Sequence, residues 1–191
     1  MCYRELYGFI QDFEPPIRRN DVRDRLLELN GLDRLPMVKT KMDHRICRGI
    51  YLSARNQEHR LVQQCGGHVI IIARDLPKEW ERFIYIKEAM HTFDDPEEAA
   101  DSGDKFDNLL NELTGSGSPG PWSKPMTSEI KSFWMALGVL CPEAKREEYA
   151  EDRDQGHIDD YEISLRLKIP ERYVTTLFQA NWLQIIASLT E

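Results

Sequence analysis

Arg82–Asp95, RFIYIKEAMHTFDD, is the stretch on which the reading of this chain turns. At helical spacing, Phe83, Ile86, Met90 and Phe93 recur every three to four residues and predict a buried seam. Beside that seam runs a second line of Ile84, Lys87, Glu88 and His91, in which Lys87 and His91 are four apart and so one turn above each other. On these residues alone, a solvated face accounts for Lys87 and Glu88, and a surface or core histidine accounts for His91. The neighbourhood argues for more. Trp80, Phe83, Ile84, Ile86 and Met90 bury this helix deeply, and a charged stripe on so apolar a helix suggests a lined cleft.

The spelling Lys87-Glu88-Ala89-Met90-His91 differs at one position from H-E-x-x-H. In that motif two histidines on one helical face bind zinc, and the glutamate activates the metal's water. Upstream, His68–Ala73 (HVIIIA) reads as an apolar strand, followed by the short Asp75-Leu76-Pro77 link and by Arg82 just before an aromatic. Downstream, Glu129–Pro142 (EIKSFWMALGVLCP) is a glutamate-led helix ending in small and apolar residues and a proline. Asp160–Phe178 (DYEISLRLKIPERYVTTLF) reads as a helix, a turn and a second helix.

In that order the pieces resemble the ImmA/IrrE family of zinc metallopeptidases, over about residues 48–180. The resemblance implies an α+β, zincin-like fold: a small mixed or antiparallel sheet packed on several helices, with a helical C-terminal region. It further implies zinc ligands at His91 and Glu129 and a catalytic role for Glu88. The departure is Lys87, which stands where the family has its first zinc histidine. Lys131 and Ser132 likewise stand where the family tends to have an acid and an alanine.

A zincin site needs three protein ligands and a water whose pKa the metal lowers to about 7. A protonated lysine has no lone pair to give, and its charge repels Zn²⁺. Its pKa starts at about 10.4, and only deep burial brings one to roughly 5–6. No cofactor is therefore expected, zinc remaining the one the family would use. The alternative to a metal is the ammonium of Lys87 itself, paired with Glu88 and Glu129. On that reading the fold is kept and the chemistry lost. The protein is a pseudo-peptidase whose former cleft binds a protein partner, a transcriptional regulator being indicated because the family acts on repressors. The competing reading is an active metallopeptidase with a rearranged metal site, drawing on His68, His157 or Asp94 beside His91.

Composition sets the limits. The chain has 191 residues, enough for a sizeable core, and its 41% apolar and 30% charged residues are an ordinary soluble balance. The uncharged apolar runs, Val69–Ala73 among them, are too short to cross a bilayer. The N-terminus MCYRELYGFIQDFE lacks a cationic-then-apolar signal pattern, so a cytoplasmic protein is expected. Cys2, Cys47, Cys65 and Cys141 are scattered without paired spacing, and reduced thiols are the default. His44 and Cys47 are three apart, but nothing nearby completes a ligand set. A net charge of −8 argues against broad nucleic-acid binding. So do the C-terminal helices, where residues 157–191 hold five acids against three bases.

The chain is expected to divide into an N-terminal helical segment (1–47), a zincin-like core (48–142) with a flexible loop at 114–125, and C-terminal helices (143–191), as parts of one compact unit. Arg4–Phe13 predicts a helix stopped by Pro15-Pro16, and Asn20 or Asp21 a cap for a second ending at Asn30-Gly31. Gly49–Ala54, Arg60–Gln64 and His68–Ala73 have strand composition, with Gly66-Gly67 as a hairpin signal. Asp75 is the expected cap of the helix that holds Lys87. After His91 the chain turns acidic, and the loop's Gly, Ser and Pro make it a candidate flap. Trp122 is expected either to pack back on the body or to anchor a partner. Thr127 or Ser128 is the expected cap of the next helix, placing Glu129 in its first turn.

Overall fold

The computed structural model describes residues 3–100, 103–113, 115 and 121–191. Its sheet has three strands, β1 (Met37–Thr40), β2 (Gly49–Leu52) and β3 (Val69–Ala73), in the order β1-β3-β2. β3 pairs parallel with β1, Val38 opposite Ile71, and antiparallel with β2, Ile50 opposite Ile71. The sheet is therefore mixed. Every residue of β3 is buried, and the alternation of a strand explains why its apolar run is unbroken. Ile70 and Ile72 enter the main core, whereas Val69 and Ile71 join a smaller cluster with Leu52 and Val62 on the other face.

Helices cover the main-core side. α1 (Tyr3–Ile10) and α2 (Arg19–Asn30) precede the sheet, and α3 (Arg60–Cys65) lies within it in sequence. α4 (Lys78–Met90) carries the Lys87 stretch and runs into a 3₁₀ turn, His91–Phe93. α5 (Gly103–Leu113), α6 (Lys124–Leu140), α7 (Glu143–Asp154), α8 (Asp160–Leu167), α9 (Val174–Leu177) and α10 (Trp182–Thr190) follow. α4 is the central helix, packed on α6, α2, β2 and β3. Phe83, Ile86 and Met90 are at most 1% exposed, and full burial of such side chains stabilises by about 1.5–3 kcal/mol each. Among the described residues, no helix is long and apolar enough to cross a membrane.

Several expectations are corrected. Arg60–Gln64 is helical, not a strand: the His59 imidazole caps it by accepting from the Leu61 N–H, and Gly66 at φ 67° ends it in place of a hairpin. The missing strand is β1, within the first 47 residues. α2 begins after Arg18 and α4 after Pro77, neither with a side-chain cap, so Asn20, Asp21 and Asp75 do not serve as caps. α6 starts earlier than Thr127 or Ser128 suggested. Ser123 caps it through the Met126 N–H, and Pro125 fits its first turn. Of the 114–125 loop, residues 114 and 116–120 lie outside the described residues. Trp122 is 65% exposed and does not pack back on the body.

Arg82 links distant parts of the fold. Its guanidinium donates to the carbonyls of Leu167 (2.9 Å) and Lys168 (2.8 Å), at the end of α8, and to that of Ile17 before α2. Burial pulls its pKa down to about 10, still high enough to keep the charge at neutral pH.

Candidate functional site

Lys87 and Glu88 reach the site from the last turn of α4, and His91 from the residue that closes it. Glu129 arrives from α6, which packs across α4. Glu129 is the sixth residue of α6, so its place is set by helix packing rather than by the helix dipole, whose effect fades beyond the first turn. The structure brings all four together. Lys87 Nζ donates to Glu88 Oε1 at 3.0 Å and to Glu129 Oε2. His91 Nε2 lies 3.3 Å from Glu129 Oε1 and 3.8 Å from Glu88 Oε2.

Behind His91 is a second set of partners, of which sequence reasoning assigned to the site only Asp94, as an alternative metal ligand. His91 Nδ1 is 2.7 Å from Asp94 Oδ2 and 3.0 Å from Ser128 Oγ, and the Ser128 hydroxyl donates to the same Asp94 oxygen at 2.6 Å. Ser132 Oγ lies 3.3 Å from Nε2. Lys131 pairs with Glu98 at 2.7 Å and approaches Asp94 Oδ1 at 3.4 Å; that oxygen has no hydrogen bond of its own. A signal for these was present. Ser128 and Ser132 are four apart and so share one face of α6, and Asp94 follows His91 by three.

The charges settle one another. Burial opposes the Lys87 ammonium, but Glu88 and Glu129 outweigh it and hold its pKa above the usual lysine range. Burial also opposes the His91 imidazolium. Hydrogen bonds to Asp94 and Glu129 prevail, and its pKa rises from 6.5 to about 9. For Glu129 burial pushes upward, yet Lys87 and His91 bring the pKa well below the carboxylate range. Asp94 is likewise lowered: burial is overcome by His91, Ser128 and Lys131. Near neutral pH, then, His91 is charged, its Nδ1–H donating to Asp94 and its Nε2 paired with Glu129 at 3.3 Å.

A raised folded pKa means that His91 stabilises the protein fully below about pH 6.5 and loses that contribution as pH rises through about 9. The linked free energy is on the order of 3 kcal/mol. Urea melts from pH 6 to 9.5 should show the parent losing stability more steeply than His91→Gln. Parallel curves would mean that the imidazolium is not the charged species.

Around this cluster is a cleft of about 460 Å³. Its floor is the charged end of α4, and one wall is the edge strand β2. α5 and α6 supply apolar lining from Phe106, Leu110, Leu113 and Phe133. The Tyr51 ring stacks with both His68 and His91, at centroid distances of 5.8 and 6.2 Å, and its hydroxyl meets His68 Nδ1 at 2.6 Å. Gly49 permits β2 to come this close. A Cβ there would stand 2.4 Å from Ile84 Cγ2 and 2.9 Å from Glu88 Cγ.

The donor set does not fit a zinc ion. The Lys87 ammonium bonds Glu129, the carboxylate ligand that the resemblance implies, together with Glu88, and leaves His91 Nε2 as the imidazole nitrogen facing them. Among the described residues, no group of three or more His, Cys, Asp and Glu side chains is arranged to hold a metal ion. Of the substitutes considered, His68 lines the cleft but is committed to Tyr51. His157 is exposed beside Asp152, outside the cleft lining. Cys47 is in the cleft wall, where burial and Glu88 push its thiol up to about 11, so it is a protonated thiol donating to the Gly49 carbonyl. His44 is exposed and lines no part of the cleft. Comparison with protein-family models, with curated proteins and with solved structures finds no match.

Proposed function

We propose that this chain is a degenerate ImmA/IrrE-like protein of the cytoplasm, zincin-like in fold, whose cleft binds a protein partner and does not hydrolyse it. The observation that carries the reading is the Lys87 ammonium bonded to Glu88 and Glu129, at the position where the resemblance puts the first zinc histidine. A fixed cation there offsets the cost of gathering buried carboxylates. It also leaves Glu88 without a metal-bound water to activate. The apolar lining from α5 and α6 suits a protein segment, and the resemblance points to a transcriptional regulator.

Metal analysis of the purified protein should find well under one equivalent of zinc, and a candidate regulator should be retained uncleaved by the parent but not by Leu113→Asp at the cleft's exposed rim. Stoichiometric zinc that survives mild chelation and disappears in His91→Ala would instead establish a rearranged metallopeptidase site.

A further inference from the structure

Away from the cleft, a second groove of about 810 Å³ opens between the start of α4 and the turn that follows α8. Its floor is closed by the buried residues Ser164, Ile169 and Pro170. Its rim carries Tyr161 and Leu165, 55% and 56% exposed. They are four apart on α8 and so stand one above the other. Ile163 and Leu167 on the inward face of the same helix are fully buried, so α8 does not need the outer pair to hold its place.

The charge around that pair is of the opposite sign to the chain as a whole. Lys78, Lys168 and Arg172 surround it, and none of them makes an ion pair among the described residues. Arg82 adds a fourth positive charge, although its donors are spent on backbone carbonyls. Among the residues lining the groove, Glu79 and Glu171 oppose them, leaving that lining at 4 − 2 = +2 in a protein of net charge −8. Such a local field attracts an acidic partner.

We propose that this groove docks an acidic amphipathic segment of a partner protein, whose apolar side chain covers Tyr161 and Leu165 while its flanking carboxylates meet Lys78, Lys168 and Arg172. Nucleic acid is the poorer fit. α9, the helix that follows the turn, has only four residues, too few to read a groove, and the rim centres on two apolar side chains. The proposal stands apart from the reading of the cleft.

Fluorescence anisotropy would test it with a labelled 15-residue helical peptide carrying Leu and Phe at i, i+3 and i+4 among glutamates. The comparison probes are the same peptide with lysine for glutamate and a short DNA duplex. The parent should bind the acidic peptide saturably, more weakly as salt is raised, and at least tenfold more tightly than either comparison probe. Arg172→Glu, Lys78→Glu and Leu165→Ser, all at exposed positions, should each weaken binding at least tenfold while melting like the parent. Leu113→Asp, in the cleft, should bind the peptide as the parent does. No saturable binding, equal binding by the three groove variants, or preference for the lysine peptide or the duplex would overturn the proposal.

Discussion

Replacing Lys87 with methionine should cost about 3–5 kcal/mol, the usual consequence of removing one partner from a buried ion pair. Methionine keeps most of the volume, so the loss is electrostatic. Glu88 is 3% exposed, and its remaining cation is His91 at 3.8 Å; Glu129 would keep only the 3.3 Å contact to His91. Against an ordinary total of about 5–15 kcal/mol, the variant should be marginal. The pH dependence separates charge from packing. Without the ammonium, the two carboxylates favour their protonated forms, so the deficit against the parent should shrink as pH falls from 8 to 5. Urea melts at the two values measure it. A deficit under about 1 kcal/mol, or one that ignores pH, would show that Lys87 is not the cation holding the cluster.

Replacing Lys87 with histidine should have the opposite chemical outcome, a gain of zinc binding. In H-E-A-M-H the two imidazoles stand one turn apart on one face, and Glu88 remains beside them. The structure adds two supports. Nε2 of His91 already points at Glu129, and Asp94 and Ser128 hold Nδ1 from behind, the kind of contact that fixes the ring orientation of metal-binding histidines. Without metal the variant should be less stable than the parent, having lost the cation. Zinc at a hundred times its dissociation constant should return about 2.7 kcal/mol. Thermal melts with and without zinc, read beside metal content, decide the matter. A variant that gains nothing from zinc would remove Glu129 from the role of third ligand.

The parts legible in the sequence were those with a strong period or a closed run. α4 follows from Phe83, Ile86 and Met90, and β3 from four successive β-branched residues. The parts that were not legible have short, mixed or misleading signals. β1 is four residues, MVKT, held mainly by pairing with β3. α3 contains one buried residue, Val62, in a segment of strand-like composition, and a histidine caps it where Ser, Thr, Asp or Asn would announce a helix. The site was legible as Lys87, Glu88, His91 and Glu129 because helical spacing and the family resemblance put them in order. Asp94 reads from the sequence as part of a solvated acidic run and as a substitute metal ligand, whereas Ser128 reads as a cap and Ser132 only as a departure from the family's alanine. Such contacts are tertiary, and the spacing along one helix does not reveal what faces it.

The guanidinium of Arg82 fastens the chain just before α2 to the chain just after α8, roughly 150 residues apart in sequence, through carbonyls that side-chain mutation cannot remove. Whichever end peels away takes hydrogen-bond acceptors from the same half-sequestered positive charge. Fraying at one terminus is thereby coupled to fraying at the other, as in a belt closed by one buckle. Swinging the last helices out while the first ones stay docked would leave that charge only the Ile17 carbonyl of its three acceptors. A signal that loosens α8 would be felt at Ile17, and through it at the helix that borders the N-terminus of the sheet.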